Sequence, residues 1–377
     1  MKFGIFSMTH APVDVPHAEI YRQFLEIATE AERLGFWSIW TTEHHFTSPK
    51  DYWPFGVSAD EYRPVAEYDI NPDPLILLAY AAAQTSSIRL GTAVVVLPWD
   101  QPLRSTERAA MLDVLSNGRV ELGVGRGSPT REGPAFGVPA DPEVAGRRFR
   151  EQVQLVRRAW GGHEFSFEGE FYSVPAGLGL TPTPIQREAP LWIGSASNDS
   201  AVWAAEQGLP YATIAWPLML MEEYKTKHDV YHAAAAASGV DVSANENIVL
   251  LYTYCGESED EAAETGYEYM KQFQYINEQH YELLRDQERF GVYLEMTGYK
   301  TPENWVHQNA MYSVENHMVG TADTIVERLK FHEEDLGLKY ILMNHGWGGM
   351  PQDKALASMR RISEHVMPHF SRVAATV

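Results

Sequence analysis

The 377-residue chain reads as an α/β protein, a single domain over residues 1–377 built as a (β/α)8 TIM-like barrel. Long insertions are expected after the second strand and before the last. Two observations point there. Short apolar runs recur along the chain, several of them preceded by a helical stretch that stops at glycine, and about eight can be counted. The length also suits a closed barrel with loop insertions better than an open sheet.

Lys2–Met8 is the first expected strand. Ile20, Phe24, Ile27, Ala28, Ala31 and Leu34 then follow helical spacing, Gly35 ends the helix, and Phe36–Trp40 is a second strand. After an interruption rich in Pro, Tyr and Trp (46–73) comes the strand Ile88–Val96. Leu103–Ser116 reads as a helix closed by Asn117-Gly118 before the strand Arg119–Gly123. Phe165–Val174 has the look of a small hairpin outside the barrel, and Leu191–Gly194 of the next strand. The helix Ser200–Gln207, Gly208 and the strand Tyr211–Trp216 repeat the phrase, and Asn247–Tyr254 follows. A second interruption, 259–315, is longer than one helix needs and mixes aromatic with charged residues. Such insertions are more often active-site walls or lids than decoration. The helix Thr321–Asp335, Gly337 and the strand Lys339–Met343 finish the pattern. No Gly-x-Gly-x-x-Gly turn follows the first strand, which weakens a dinucleotide-binding fold.

Composition narrows the partners. A formal net charge of -21 opposes a nucleic-acid or anionic-membrane partner, since both need basic patches. No run is apolar enough to span a bilayer, and the N-terminus lacks a signal-peptide pattern. Cys255 is the only cysteine, so an intramolecular disulfide is impossible and a cytoplasmic home is expected.

Trp40-Thr41-Thr42-Glu43-His44-His45-Phe46 places an acid and two imidazoles where a strand should end. The C-terminal strand ends form the functional face of parallel α/β folds, and histidine titrates near neutrality. A metal reading is weak, because adjacent strand residues face opposite ways and the helical His-x3-His spacing of zinc sites is absent. A buried histidine hydrogen-bonded by Glu43 is the plain structural alternative, with His45 behind His44. Leu122-Gly123-Val124-Gly125-Arg126-Gly127 sets an arginine in a glycine-rich strand end, where glycines admit a ligand to the backbone and Arg126 can grip phosphate. Gly194 to Ser200 runs from a strand into a helix. It is either a phosphate seat or simple N-capping by Ser197 or Asn198. No Gly-x-Ser-x-Gly elbow supports a serine hydrolase.

Three stretches in this order carry a resemblance: Thr42 to Phe46, Leu90 to Pro98 with Gln101-Pro102, and Leu115 to Arg119 continuing to Gly127. With Trp203 to Pro210, Val319-Gly320-Thr321 and Val366-Met367-Pro368, the chain resembles the bacterial luciferase-like flavin monooxygenases from Lys2 to about Phe370. The resemblance implies a TIM-like barrel that uses reduced FMN (FMNH2), delivered by a separate NAD(P)H:flavin reductase. It also implies O2 as co-substrate, oxidation of a small molecule through a C4a-peroxyflavin, and a homodimer. It assigns His44 as base or proton donor and Glu43 to the isoalloxazine side. Gly91, Thr92, Ala93 and Val94 would line the ring face, with a cis peptide at Ala93–Val94, and Arg126, Arg147, Ser197 and Ser200 would hold the phosphate. Trp53, Tyr62, Trp99 and Trp216 suggest an apolar or aromatic substrate. The chain departs from luciferase, which has a reactive cysteine at the position of Gly125, an acidic residue at Ala196 and a shorter loop after His45. Light emission is therefore not implied. A deazaflavin (F420) oxidoreductase and a non-catalytic flavin-binding subunit are the rivals on this fold.

Overall fold

The computed structural model describes residues 1–12, 15–46, 66–67, 69–127, 132–161, 163–194, 197–214, 221–281 and 305–370. Eight parallel strands close on themselves: β1 Lys2–Phe6, β2 Ser38–Thr41, β3 Arg89–Val96, β4 Val120–Gly125, β5 Leu191–Gly194, β6 Tyr211–Ile214, β7 Ile248–Cys255 and β8 Tyr340–Asn344. Spatial order equals chain order. β6 pairs with β7, and β8 returns to β1 in the register Lys2↔Tyr340 to Phe6↔Asn344. The (β/α)8 expectation is met. Gly35 and Gly208, which follow helices His17–Arg33 and Asn198–Glu206, take φ of +82° and +70°, the left-handed turn that stops a helix.

Alternation along the strands builds two cores. Phe3, Ile5, Ile39, Leu90, Leu122, Val124, Ile193, Val249, Leu251, Ile341 and Met343 face the surrounding helices in one continuous cluster. Phe6, Trp40, Ala93, Trp192, Ala212, Ile248, Leu250, Tyr340 and Leu342 fill the barrel lumen. Trp40, Trp192 and Tyr340 meet edge to face at 5.7–6.3 Å between ring centroids and form a floor. Their polar atoms are satisfied. Trp40 Nε1 donates to Ser38 Oγ (2.8 Å) and Tyr340 Oη (3.1 Å), and Trp192 Nε1 donates to Glu121 Oε2 (2.7 Å). Glu121 is in turn ion-paired with Arg89.

The glycine-rich run belongs to the strand, which extends to Gly125 rather than stopping at Gly123. A Cβ on Gly123 would sit 2.0 Å from the Thr92 carbonyl oxygen, and one on Gly125 2.5 Å from Val94. Close strand approach therefore already requires these glycines.

Residues 47–65 and 68 of the first insertion, with Trp53 and Tyr62, lie outside the described residues, as do Ser195, Ala196 and Trp216. Ala66–Glu67 pairs antiparallel with Ala11–Pro12. The second insertion contains helices Glu259–Tyr281 and Trp305–Asn316, which pack against each other. Met270, Phe273 and Ala310 from these helices cluster with Tyr252, Trp347 and Met350, covering the rim at the ends of β7 and β8. Gly348 allows this approach, since its Cβ would lie 1.9 Å from the Tyr269 carbonyl oxygen. The expected hairpin is present as Phe165–Glu168 with Ser173–Leu178. Among the described residues no helix is long and apolar enough to cross a membrane.

Candidate active site

The chain leaves β2 at Thr41 and is at once stapled in place. Asp69 accepts the Thr9 backbone N–H (3.1 Å) and the hydroxyls of Thr9 and Thr42. Asn71 Nδ2 donates to Thr41 Oγ1 (3.1 Å) and the Thr42 carbonyl (2.7 Å), and the His44 N–H donates to the Asn71 carbonyl (3.0 Å). The return leg of the first insertion thus ties the ends of β1 and β2 together.

Glu43 and His44 look to different partners. Glu43 Oε1 lies 3.0 Å from His45 Nε2, and Oε2 accepts the Val96 N–H at 2.8 Å, so this carboxyl clamps β2 to the end of β3. Burial pushes the Glu43 carboxyl above its ordinary value, against the opposing pull of His45 and Val96. His44 Nδ1 faces Glu132 Oε1 at 3.3 Å, and the same oxygen accepts the His45 N–H at 2.9 Å. Burial acts to lower the His44 imidazole. The Glu132 hydrogen bond and the negative charge of Asp69, Glu132 and Glu43 outweigh it, and the pKa stands above 6.5. His10 has the opposite fate: burial takes it down to about 4, Asp69 opposing and His44 assisting.

His45 lies inside an aromatic cluster. Its ring is 4.6 Å from Phe136 and 5.3 Å from Trp99, and Phe136 stacks on Trp99 and Phe46. Trp99 is thereby packed beside the site.

At β3 the Ala93–Val94 peptide is cis, and the register with β4 slips between Thr92 and Val95. The Val94 side chain lies over Gly125 and Gly194, so it reaches across β4 to β5. Gly91 and Thr92 are engaged within the fold. A Cβ on Gly91 would meet the Trp40 ring at 2.0 Å, and Thr92 Oγ1 donates to the Gly123 carbonyl at 2.7 Å.

The cationic end lies two strands from His44. Arg126 leaves β4, is exposed, and has no carboxylate partner among the described residues. Its Nη1 is 3.7 Å from where a Gly146 Cβ would stand, on helix Pro142–Trp160. Arg147 follows on that helix and is paired with Glu170 through Nε (3.2 Å) and Nη2 (3.1 Å). Ser197 caps helix Asn198–Glu206, its Oγ accepting the Ser200 N–H at 3.3 Å. The capping reading is therefore realised. β4 and β5 pair directly, Val124 opposite Ile193, so Arg126 and Ser197 follow neighbouring strands.

His44, the Ala93–Val94 peptide, Arg126 and Ser197 thus adjoin the ends of β2, β3, β4 and β5, an arc of neighbouring strands, while Gly91 and Thr92 lie within β3 and Arg147 and Ser200 on helices. Toward one end of this arc stand Arg126 and a helix start, and at the other an acid–imidazole group. Glu132, Asp69, Asn71 and His10 went unrecognised in the sequence. Only the histidine type of His10 offered a signal, because their partners are distant in the chain. Among the described residues no group of three or more His, Cys, Asp or Glu side chains is placed to hold a metal ion.

A family model described as luciferase-like monooxygenase matches residues 1–339. The oxygenase component of the flavin-dependent trigonelline monooxygenase of Acinetobacter baylyi is 28% identical, over 98% of this chain and 96% of that protein. The crystal structure of monooxygenase RslO1 from Streptomyces bottropensis superposes with a TM-score of 0.76 at 26% identity, covering 98% of this chain and 100% of the other. An F420-dependent secondary alcohol dehydrogenase shares the fold, with a TM-score of 0.68 at 18% identity over 97% of this chain and 98% of that one.

Proposed function

The chain belongs to the luciferase-like monooxygenase family, and on that premise we propose that it is the oxygenase of a two-component, FMNH2-dependent monooxygenase acting on an apolar or aromatic small molecule. The observation that supports this reading best is the rim arc. His44, at the end of β2, and Arg126, at the end of β4 and without a carboxylate partner among the described residues, flank the Ala93–Val94 bulge. Arg126 and the helix start at Ser197 and Ser200 hold the phosphate, joined by Arg147 when it exchanges Glu170 for the ligand. Ala93 and Val94, with Gly91 and Thr92 behind them, support the ring. Reduced FMN supplies the electrons that activate O2.

The protein's own part is binding, orientation and proton control. Glu43 fixes the spacing between β2 and β3 by holding Val96. His44, whose pKa is shifted upward, can give a proton to the site and act as a base once it has given it up. The aromatic wall of Phe46, Trp99 and Phe136 and the helices of the second insertion limit water at the rim.

A separate NAD(P)H:flavin reductase and a cytoplasmic location belong to the same reading. So does a homodimer over one domain, residues 1–377. Exposed apolar residues at helical spacing on two neighbouring helices, Ile76 with Tyr80 and Met111 with Leu115, support the dimer. The test is anaerobic titration of the purified protein with FMNH2 and, in parallel, with reduced F420, followed by oxygen-electrode assays with a reductase and aromatic candidate substrates. Tight FMNH2 binding and substrate-dependent O2 uptake are expected. Preference for F420 with no O2 uptake would overturn the proposal. Flavin binding without turnover on any candidate would favour the partner-subunit reading.

A further inference from the structure

We propose that Glu132 is the positioning residue for His44, fixing the imidazole so that Nδ1 keeps its proton and Nε2 is the nitrogen that exchanges one with the site. The proposal rests on the reading of His44 as the proton-handling group. Glu132 is 1% exposed and opens the short helix Glu132–Ala135. An ionised carboxylate can only accept hydrogen bonds, so its contact with His44 Nδ1 places a hydrogen on that nitrogen. The His45 N–H donates to the same oxygen at 2.9 Å. The carboxylate is therefore tethered to the backbone of the residue after the histidine it orients, and ring and carboxylate hold one relative geometry.

The other charged neighbours are committed elsewhere. Asp69 is engaged by Thr9 and Thr42, and Glu43 by His45 and Val96. They, with His10, act on His44 through their charge, whereas Glu132 touches the ring. A carboxylate on the far nitrogen of a working histidine selects the tautomer and holds the ring plane.

The experiment uses the flavin-free protein, so its outcome does not depend on turnover. Protein with 15N-labelled histidine is followed by long-range 1H–15N correlation spectra through a pH titration, with His44→Asn identifying the signal. The expected neutral form carries its proton on Nδ1. In Glu132→Gln the His44 titration moves to lower pH, and the neutral ring populates both tautomers. Should Glu132→Gln fail to fold, the wild-type spectrum still decides: a neutral His44 protonated at Nε2 overturns the proposal. So does a Glu132→Gln variant whose tautomer and titration match wild type. Failure of the underlying functional reading looks different. His44→Asn would then support substrate-dependent O2 uptake at the wild-type rate, whatever tautomer the spectra report.

Discussion

Replacing Gly91 with alanine tests the packing of the lumen floor. A Cβ at Gly91 would lie 2.0, 2.3 and 2.5 Å from Cδ2, Cε2 and Cε3 of Trp40. Non-bonded carbons rest about 3.5–4.0 Å apart, so the indole must retreat by about 1.5 Å or β2 and β3 must part. Neither is easy. Trp40 is fully buried, donates to Ser38 and Tyr340, and is edge-on to Trp192 and Tyr340. Overpacking costs about 1–3 kcal/mol, and each displaced hydrogen bond about 1 kcal/mol. Gly91→Ala should therefore lose about 3–4 kcal/mol, seen as a lower urea midpoint at unchanged slope. Adding Trp40→Leu removes the obstacle, so a double-mutant cycle should show a favourable coupling above about 1 kcal/mol. A Gly91→Ala protein within about 0.5 kcal/mol of wild type, or strictly additive mutations, would refute this account. The measurement needs no flavin, so it separates a fold role for Gly91 from contact with a ring.

Three further outcomes are expected. Burial holds His345 at about 3 and His332 at about 4 against an ordinary 6.5, so each contributes stability above pH 6.5 that is lost as pH falls toward those values. His332→Leu should flatten the pH dependence of the unfolding free energy from urea titrations between pH 6.5 and 4 by up to about 3 kcal/mol, whereas His44, whose pKa is raised, contributes with the opposite sign and loses its share as pH climbs through its folded value. Arg126→Ala should weaken FMNH2 binding by about 10- to 100-fold in calorimetry, with a smaller loss for Arg147→Ala because Glu170 already holds that guanidinium. Asp113→Ala should cost about 2–4 kcal/mol in denaturant titrations at unchanged FMNH2 affinity, because the buried carboxylate accepts Ile185 N, Gln186 N and Gln186 Nε2 at 2.7–2.9 Å.

Period and punctuation made the barrel readable from the chain. Apolar runs and helix-ending glycines are local features, and β2, β3 and β8 lie within a few residues of where those features place them. The position of Glu43-His44-His45 at a strand end was readable for the same reason, and a parallel barrel then sets them on its functional rim. What they bond to was not. Sequence neighbours suggest Glu43 as the partner of His44, but the fold gives Glu43 to His45 and Val96 and brings Glu132 to His44 from 88 residues away. The resemblance gives Arg126 and Arg147 the same expected role. Glu170, delivered by the hairpin, ties up Arg147, while Arg126 has no carboxylate partner among the described residues. The glycines of β3 and β4 signal close approach in either setting, and only the lumen shows that Trp40, Thr92 and Val94 are what approaches. Local pattern depends on backbone geometry over a few residues, whereas partner choice depends on which strands and insertions share a rim. Distances between distant segments enter a sequence only once the chain has closed.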